Sequence, residues 1–592
     1  MSPSVSAGSD TTPLTSQLWG SNMKWNVSLS RLVLCGMAAG GLLVGCGGSG
    51  DIKIAPVTTD SSTDNSVNNS NNVAAPVANP CASNGEIQGD FEAPHCMYST
   101  AFADSGNNIT TDMTLVELDD DGAHVFNGSL FIGNDYTKED LAAAGIAKGG
   151  DGPQLTIEAG ATLAFLDKSK FMVIMRGSTI SAVGTAAKPI TITSLSDVNG
   201  TLASPEAYSQ WGGMVVNGFA VTNKCSYTGT RGATDFALEA GAYCDIPSEG
   251  SLGQDANHYG GTNDEDNSGR MEYVIVKHTG AEVANNDELN GITFSGVGSA
   301  TVLKNMQAYS TYDDGFEFFG GSVNMENAVL VYVADDSLDF DEGYNGTITN
   351  ALIIQAETTG NQCIESDGIG SYKNATATDL ARNTDFITRK LNSAPTVLNM
   401  TCIYSPNAGK GVGTSAAPHS SGAGLRFREG IHPTIKNALV IGTGLAEGDT
   451  GNNWAIRVES DESASAFTAG TASITGSVFA ALDKSKGTIG TADVDAFLAL
   501  AANGSSVFAD VTTVPLDATA TADTGLVLLE GTPPIYSVDA ATSTPVGAPV
   551  ISDPDATEAP AFTGALSAGA TDWASWAYGI YEGNRGQALW FE

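Results

Sequence analysis

One stretch of the sequence repeats itself: DDGFEFFGGSVNMENAVLVYV (residues 313–333) can be laid over DDSLDFDEGYNGTITNALIIQ (residues 335–355). Four further segments fit the same alignment: Asn290–Ser310, Asn361–Tyr404, Gly422–Gly442 and Asn453–Ala480. Most of them carry a turn, a short alternating strand, a glycine-rich corner, a second alternating strand, an asparagine and an apolar strand. Such a repeat predicts a solenoid of β coils, each about 22 residues long, that stack their apolar interiors on one another.

The repeats share an asparagine in the same place. The aligned residues are Asn305, Asn327, Asn350, Asn399 and Asn437. Stacked amide side chains can hydrogen-bond from coil to coil, although asparagine also simply suits a turn. The longer steps mark insertions at residues 368–394 and 405–421, and such loops usually project from one face.

Further alternating strands with glycine corners precede the repeats. The motifs that carry a family resemblance are Gly160, Gly177, Gly184-Thr185 before Pro189-Ile190, Trp211-Gly212-Gly213, Tyr259-Gly260-Gly261 before Asp266–Gly269 and, within the repeat itself, Asp313–Phe318. Over residues 130–480 this arrangement resembles the pectin-lyase-like right-handed parallel β-helix proteins, in particular bacterial surface lipoproteins. The resemblance implies an all-β solenoid with three sheets per coil. It implies no single activity, because this fold carries lyases, hydrolases, adhesins and passive binders.

The N-terminal region has the pattern of an export signal. Lys24 and Arg31 precede an apolar run that ends in Leu43-Val44-Gly45-Cys46. This ending resembles a bacterial lipobox, which implies cleavage before Cys46 and lipidation of that residue. Gly47 follows instead of the aspartate of the inner-membrane retention signal, so we expect an outer-membrane, cell-surface location. Met23 is an alternative start of the chain.

These patterns predict five regions. They are a signal peptide with an upstream extension (residues 1–45), a lipidated flexible tether (46–80), an N-terminal cap (81–150), the parallel β-helix (151–480) and a C-terminal cap region (481–592). A short helix is predicted at 138–148 and another at 493–502. The aromatic residues of the last region are expected to pack the cap or, alternatively, to form a sugar-stacking platform; they are Trp573, Trp576, Tyr578, Tyr581 and Trp590.

The composition restricts the partners. With 26 Lys+Arg against 67 Asp+Glu, the net charge is −41. The chain therefore lacks the basic surface that nucleic-acid phosphates require, and it suits cation binding or solubility in a saline medium. Six cysteines follow Cys46, and proximity favours the disulfides Cys81–Cys96, Cys225–Cys244 and Cys363–Cys402. No pair has the C-x-x-C spacing that would favour a metal site instead.

One strand of each coil presents a charged position between apolar ones. The resulting outward column is Thr293, Glu317, Asp339, Glu365, Arg426 and Arg457, and a neighbouring column is Phe319, Asp341, Asp367, Arg428 and Glu459. Adjacent coils lie about 4.8 Å apart, so three successive carboxylates repel one another. A bound Ca²⁺, a retained proton, or a pair between Glu365 and Arg426 would each relieve this repulsion.

These columns supply the candidate site residues. We expect Glu317, Asp339, Glu365 and Asp367 to hold Ca²⁺, and Arg426 or Arg428 to serve as the base if the protein is a lyase. Asp264 and Asp266, in the acidic run 263–267, form a second candidate Ca²⁺ site, although the register of an EF-hand is absent. The Asp-Asp pairs at 313–314 and 335–336 are attributed to turns, where aspartate is common.

The sequence leaves three functions open, and whether the protein is an enzyme stays undecided. The first is a non-catalytic outer-membrane lipoprotein whose rigid β-helix binds a glycan, a nutrient or a surface partner. The second is a Ca²⁺-dependent polysaccharide lyase acting on acidic glycans. The third is an accessory lipoprotein of an outer-membrane transporter.

Overall fold

The computed structural model describes residues 79–136, 152–250, 257–284, 287–356, 359–404, 423–442, 454–481, 483–509, 521–522, 527–528, 562–565, 575–580 and 589. The predicted signal peptide, Cys46, nearly all of the tether, the predicted helix at 138–148 and the insertion at 405–421 lie outside these ranges. So do Trp573, Tyr581 and Trp590. No helix in the described ranges is long and apolar enough to cross a membrane.

The first of two long sheets, the ladder sheet, has ten strands, one from each coil. Its strands are Leu130–Ile132, Met172–Ile174, Met214–Asn217, Ile292–Ser295, Phe316–Phe319, Leu338–Asp341, Gln362–Ser366, Ala423–Phe427, Trp454–Val458 and Asp483–Lys486. Every neighbouring pair is parallel. Parallel strands that return to the same sheet after each turn of the chain are the signature of a parallel β-helix, which confirms the predicted fold.

The second sheet has eighteen strands and forms the rest of each coil. Its strands are Asp90–Glu92, His95–Tyr98, Met113–Leu115, Ala123–Phe126, Gln154–Ile157, Thr162–Phe165, Thr179–Val183, Ile190–Ser194, Gly269–Lys277, Val302–Tyr309, Asn324–Val331, Thr347–Ile354, Thr396–Tyr404, Thr434–Lys436, Leu439–Gly442, Ser473–Thr475, Val478–Ala480 and Ser506–Phe508. The long strands bend at the repeated asparagine, and elsewhere two short strands stand in place of one long strand.

The repeated asparagines make that bend. Their φ angles lie between 53° and 59°, in the left-handed region that asparagine tolerates better than most residues. Asn327 Nδ2 donates to Asn305 Oδ1 over 2.9 Å, and Asn350 Nδ2 donates to Asn327 Oδ1 over 3.0 Å. Both expectations for this position are confirmed, because the side chains form a ladder and the backbone forms a turn.

The interior is filled by inward side chains stacked coil on coil. The rings of Phe294 and Phe318, from adjacent ladder strands, lie 5.2 Å apart, and Tyr344, in the turn after the strand Leu338–Asp341, lies 5.1 Å from the ring of Phe340. All four side chains are fully buried. Burying each such ring stabilises the fold by about 1.5–3 kcal/mol. The three predicted disulfides are confirmed, and Cys363–Cys402 joins the two long sheets inside the core.

Short elements decorate the coils. The helices are α1 (Leu195–Val198), α2 (Ala377–Thr388), α3 (Asp461–Ala469) and α4 (Val494–Leu498), with a 3₁₀ turn at Ala501–Asn503. The antiparallel hairpins pair Ser83–Asn84 with Ile87–Gln88, Tyr227–Thr228 with Ala237–Leu238, Ile246–Pro247 with His258–Tyr259, Ala281–Ala284 with Asp287–Leu289, Thr488–Ile489 with Ala492–Asp493, and Thr521–Ala522 with Val527–Leu528. Helix α2 fills the insertion at 368–394, and α4 with the 3₁₀ turn corresponds to the helix predicted at 493–502.

The coils extend beyond both predicted limits of the helix. Parallel pairing begins before residue 151, where Ala123–Phe126 aligns with Thr162–Phe165. It continues after residue 480, where Ser506–Phe508 aligns with Val478–Ala480. The terminal coils carry too little of the repeat's pattern to be recognised from sequence, yet their backbones add to the same sheets.

The C-terminal aromatic residues lie elsewhere than expected. Trp576 and Tyr578 pack on the outer face of the eighteen-stranded sheet, against Tyr273 and Tyr309 of the middle coils. The prediction that they pack an end cap is wrong for these two residues. The physical reason is that this sheet presents outward apolar side chains, such as Val329 and Leu352, which need cover from water.

Candidate functional site

The predicted outward column has the predicted register. Thr293 aligns with Glu317, Glu317 with Asp339, and Asp339 with Glu365. Arg426 aligns with Arg457 in the same manner. The expectation that this column is solvent-exposed is wrong, however, because Glu317 is only 7% exposed and Thr293 is completely buried. Loops and side chains that the repeat does not reveal cover this face.

Asn290 holds the buried end of the column. Its Nδ2 lies 2.5 Å from Glu317 Oε2, 2.7 Å from Glu249 Oε2 and 2.9 Å from Thr293 Oγ1. Glu249 comes from the loop that precedes the hairpin strand His258–Tyr259, so a residue far away in sequence adds a second carboxylate beside Glu317. Both carboxylates therefore accept from the same amide group.

The Asp-Asp turns form a ladder of their own. Asn290 Oδ1 accepts from the backbone N–H of Asp314 over 3.0 Å, and Asp314 Oδ1 accepts from the N–H of Asp336 over 3.0 Å. Asp336 Oδ1 then accepts from the N–H of Gln362 over 2.5 Å. The turn role predicted for these aspartates is therefore present. It also places their side chains in contact with the charged column.

Five carboxylates meet where the turns and the column adjoin. We call this set the acidic cluster: Asp313, Asp314, Glu317, Asp335 and Asp339. It contains two triads that could hold a metal ion, each with one oxygen per residue and all oxygens within 4.8 Å of one another. The triads are Asp313–Asp314–Asp335 and Asp314–Glu317–Asp339. Carboxylate oxygens at this density suit a hard cation such as Ca²⁺.

The acidic cluster is electrostatically strained without a cation. Burial raises the pKa values of Asp314, Glu317 and Asp339 well above the usual carboxyl range, and the neighbouring negative charges raise them further. Asp339 Oδ1 is buried and has no hydrogen-bond partner. Within the described ranges, no Lys or Arg side chain forms an ion pair with these three carboxylates. The set therefore needs protons or a cation to balance its charge.

The later part of the column is balanced by ion pairs. Arg426 Nη1 lies 2.5 Å from Glu365 Oε1, and Arg426 Nε lies 2.7 Å from Glu459 Oε2. Arg428 contacts Glu365 Oε2 over 2.9 Å and both oxygens of Asp367. The ion pair between Glu365 and Arg426, one of the three predicted ways to relieve the repulsion between the carboxylates, is thus present. It leaves Glu365 and Asp367 less suited to a cation than Asp339.

The same ion pairs change the pKa values of Arg426 and Arg428, the two candidate bases. Burial alone would lower the pKa of Arg428, but its contacts with Asp367 and Glu365 raise it overall. Arg426 shows the same balance. A general base must lose its proton before it acts, and these carboxylates hold the proton on each guanidinium. The geometry therefore gives no support to Arg426 or Arg428 as a base.

The second candidate Ca²⁺ site is divided between two environments. Asp264 accepts from Arg231 through both carboxylate oxygens, each at 2.7 Å, so its charge is already balanced. Asp266 is buried and accepts a hydrogen bond from Ser268, and burial raises its pKa to about 7. The two carboxylates therefore do not form one open ligand set.

Sequence reasoning missed Asp313, Asp314, Asp335, Glu249 and Asn290 as site residues. A signal for the aspartates was present, because DDGFEF and DDSLDF place an acidic pair at the same offset before each column residue. Glu249 and Asn290 carry no comparable signal, since their position depends on how one loop folds over the sheet.

One comparison with known proteins agrees with this architecture. A family model described as a pectate-lyase like beta helix domain matches residues 141–513. No curated protein sequence matches the chain. Among solved structures, the Dettilon tailspike protein matches with a TM-score of 0.24 and 8% identity, over 70% of this chain and 69% of its own. That similarity is too low to support an inference about this chain.

Proposed function

The chain belongs to the pectate-lyase-like β-helix family, and we propose that it is a lipid-anchored outer-membrane protein that binds an acidic glycan without cleaving it. In this proposal a divalent cation, Ca²⁺ by its ligand preference, sits in the acidic cluster and bridges the protein to carboxylates of the glycan. The anchor is the predicted lipid on Cys46, and the tether at residues 46–80 carries the β-helix away from the membrane.

One observation carries the proposal: the acidic cluster brings three carboxylates within reach of one ion at Asp314, Glu317 and Asp339. The unpartnered Asp339 Oδ1 is the atom best placed to accept a cation. The cluster lies on a rigid sheet, so its oxygens need little reorganisation when an ion binds. A glycan carboxylate would complete the coordination of an ion that the protein holds on one side.

The absence of cleavage follows from the arginine contacts. Lyase chemistry on this face would need Arg426 or Arg428 as a base, and both are held in ion pairs with Glu365, Asp367 or Glu459. Hydrolysis would need a carboxyl pair that is free to act on a glycosidic bond and a water molecule, whereas in this proposal the carboxylates of the acidic cluster are ligands of the cation.

The test uses the full chain and two acidic polysaccharides, polygalacturonate and alginate. Calorimetric titration in Ca²⁺ should show binding that disappears in EDTA, and absorbance in the ultraviolet should reveal no unsaturated products. Equal binding in EDTA, or no binding of either polysaccharide in Ca²⁺, would overturn the bridging role. Unsaturated products would replace the binding function with lyase activity.

The anchor has a separate test. Cells fed labelled palmitate should label the wild-type protein and not Cys46→Ser, and the label should fractionate with the outer membrane. Equal labelling of both forms would contradict lipidation at Cys46.

A further inference from the structure

A groove lies between helices α2 and α3, at the edge of the ladder sheet. Its volume is about 730 Å³, within the range of ligand-binding pockets. The two helices follow the ladder strands Gln362–Ser366 and Trp454–Val458, each of which carries a residue of the charged column. Glu459, which pairs with Arg426, also lines the groove. The groove therefore adjoins the proposed glycan face.

The walls of the groove are fixed by hydrogen bonds between the two insertions. Tyr372 Oη donates to Glu462 Oε2 over 2.7 Å, and Asn383 Nδ2 donates to Glu462 Oε1 over 3.1 Å. Asn383 also donates to the backbone oxygen of Lys373 over 2.9 Å. Helix α2 begins with a capping box between Thr376 and Asp379. These contacts hold the two helices in place without a ligand.

The lining combines an apolar strip with a polar rim. Leu380 and Ile387 of α2 and Ala466 of α3 line the groove, and Leu380 is 49% exposed although it is a large apolar residue. Thr384 and Thr388 line the same wall, and each hydroxyl donates to a backbone oxygen one turn earlier. Their oxygens therefore keep acceptor lone pairs that point away from the helix. An apolar strip with hydroxyl acceptors suits a sugar ring, which has apolar C–H faces and hydroxyl donors.

The charge of the lining selects among sugars. Three acidic residues line the groove, Glu459, Asp461 and Glu462, whereas no Lys or Arg is among its described lining residues. Glu462 is engaged by Tyr372 and Asn383, and Glu459 is engaged by Arg426. Arg457 and Lys486 also balance Glu459, but no cation pairs with Asp461 or Glu462 in the described ranges, so a uronate carboxylate beside these two would meet uncompensated negative charge. A neutral sugar meets no such repulsion.

We propose that the interhelical groove is a subsite for a neutral sugar unit of the bound glycan. The proposal takes its ligand class from the proposed function but does not depend on the cation. It implies that the glycan carries neutral units near its acidic ones, since the groove and the acidic cluster are about three coils apart along the column, roughly 14 Å.

The experiment fills the groove and leaves the rest of the helix unchanged. Ser465 is exposed and lines the groove, so Ser465→Trp places an indole in it. Thr468 is exposed on the same helix and is not a lining residue, so Thr468→Trp is the matched control. The probes are four neutral hexasaccharides: maltohexaose, cellohexaose, mannohexaose and galactohexaose. Binding to the full chain is measured by calorimetry and by saturation-transfer NMR, in EDTA.

We expect at least one hexasaccharide to bind, with a dissociation constant that rises at least tenfold in Ser465→Trp and stays unchanged in Thr468→Trp. Binding that survives Ser465→Trp, or no binding of any of the four probes at millimolar concentration, would overturn the subsite. The two proposals fail separately. Loss of the subsite leaves Ca²⁺-dependent binding of acidic polysaccharide intact, and loss of the Ca²⁺ dependence leaves the neutral subsite intact.

Discussion

The substitution Asp339→Asn removes one charge from the acidic cluster while it keeps the shape of the side chain. Asp339 lies between Glu317 and Glu365 in the column, and Glu365 is already paired with Arg426 and Arg428. In the column, Glu317 therefore remains an uncompensated neighbour, about 4.8 Å away along the stack, and Asp314 of the acidic cluster adds to the repulsion. Repulsion at that distance is about 0.9 kcal/mol in water and about 3.5 kcal/mol in a partly shielded site. In EDTA, we expect Asp339→Asn to stabilise the fold by about 1–3 kcal/mol.

Calcium should remove most of the difference between the two proteins. A ligand at 100 times its dissociation constant stabilises the folded state by about 2.7 kcal/mol. For the compact unit of residues 76–592, the usual unfolding entropy makes 1 kcal/mol worth about 1 °C in melting temperature. Wild type should therefore melt about 2–3 °C higher in Ca²⁺ than in EDTA. Asp339→Asn should melt about 1–3 °C above wild type in EDTA and gain little from Ca²⁺.

Differential scanning calorimetry at pH 7.5 measures both effects. Glu86→Gln is the control, because it removes an exposed carboxylate from the N-terminal hairpin and should change neither value. The reasoning is refuted if Asp339→Asn melts below wild type in EDTA, or if it responds to Ca²⁺ as strongly as wild type does.

Three other predictions concern the surroundings of the site. Arg428→Gln should destabilise the protein by about 1–3 kcal/mol in urea unfolding, because it leaves the charge of Asp367 uncompensated. Adding Asp367→Asn should restore most of the lost stability, and no recovery would contradict the ion-pair argument. The pKa of Asp266 is raised to about 7, so between about pH 4 and pH 7 the folded protein keeps a proton that the unfolded chain has released. The protonated Asp266 therefore contributes about 4 kcal/mol to the free energy of unfolding below pH 4, and this contribution is lost as pH rises through 7. Asp266→Asn should flatten that decline in pH-dependent unfolding, and an unchanged slope would count against a buried carboxyl at this position. A chain that ends at residue 561 lacks Trp576 and Ile580, which cover apolar side chains of the eighteen-stranded sheet. It should bind more of a hydrophobic dye, and size-exclusion chromatography with light scattering should show that it self-associates. A monomer with unchanged dye binding would show that these residues do not cover the sheet.

Periodicity made the fold and the column readable from sequence. The step of about 22 residues sets the register of Glu317 and Asp339, because the inward positions on either side must be apolar in every coil. The aligned asparagines are equally local, since one left-handed residue per coil is needed at the same place. Neighbouring cysteines in the chain also proved to be neighbours in the structure.

The features that could not be predicted from the sequence depend on contacts between segments that are far apart in the chain. The burial of Glu317 requires the loop that carries Glu249, more than sixty positions earlier in the chain, and no pattern in that loop announces the contact. The C-terminal segment is another case. Asn399 turns its amide to the backbone oxygens of Phe562 and Gly564, so Asn350 Oδ1 is left without a partner in the ladder. A repeat alone predicts an uninterrupted ladder there.

The location of a bound cation tests the central proposal most directly. Crystals of the full chain grown with Ca²⁺, and a second set soaked in Tb³⁺, would be compared by anomalous-difference maps. We predict a peak among Asp314, Glu317 and Asp339, with carboxylate oxygens about 2.3–2.6 Å from the ion. A map with no peak at these residues, or with its only peak beside Asp264, would contradict the proposal that the acidic cluster is the cation site.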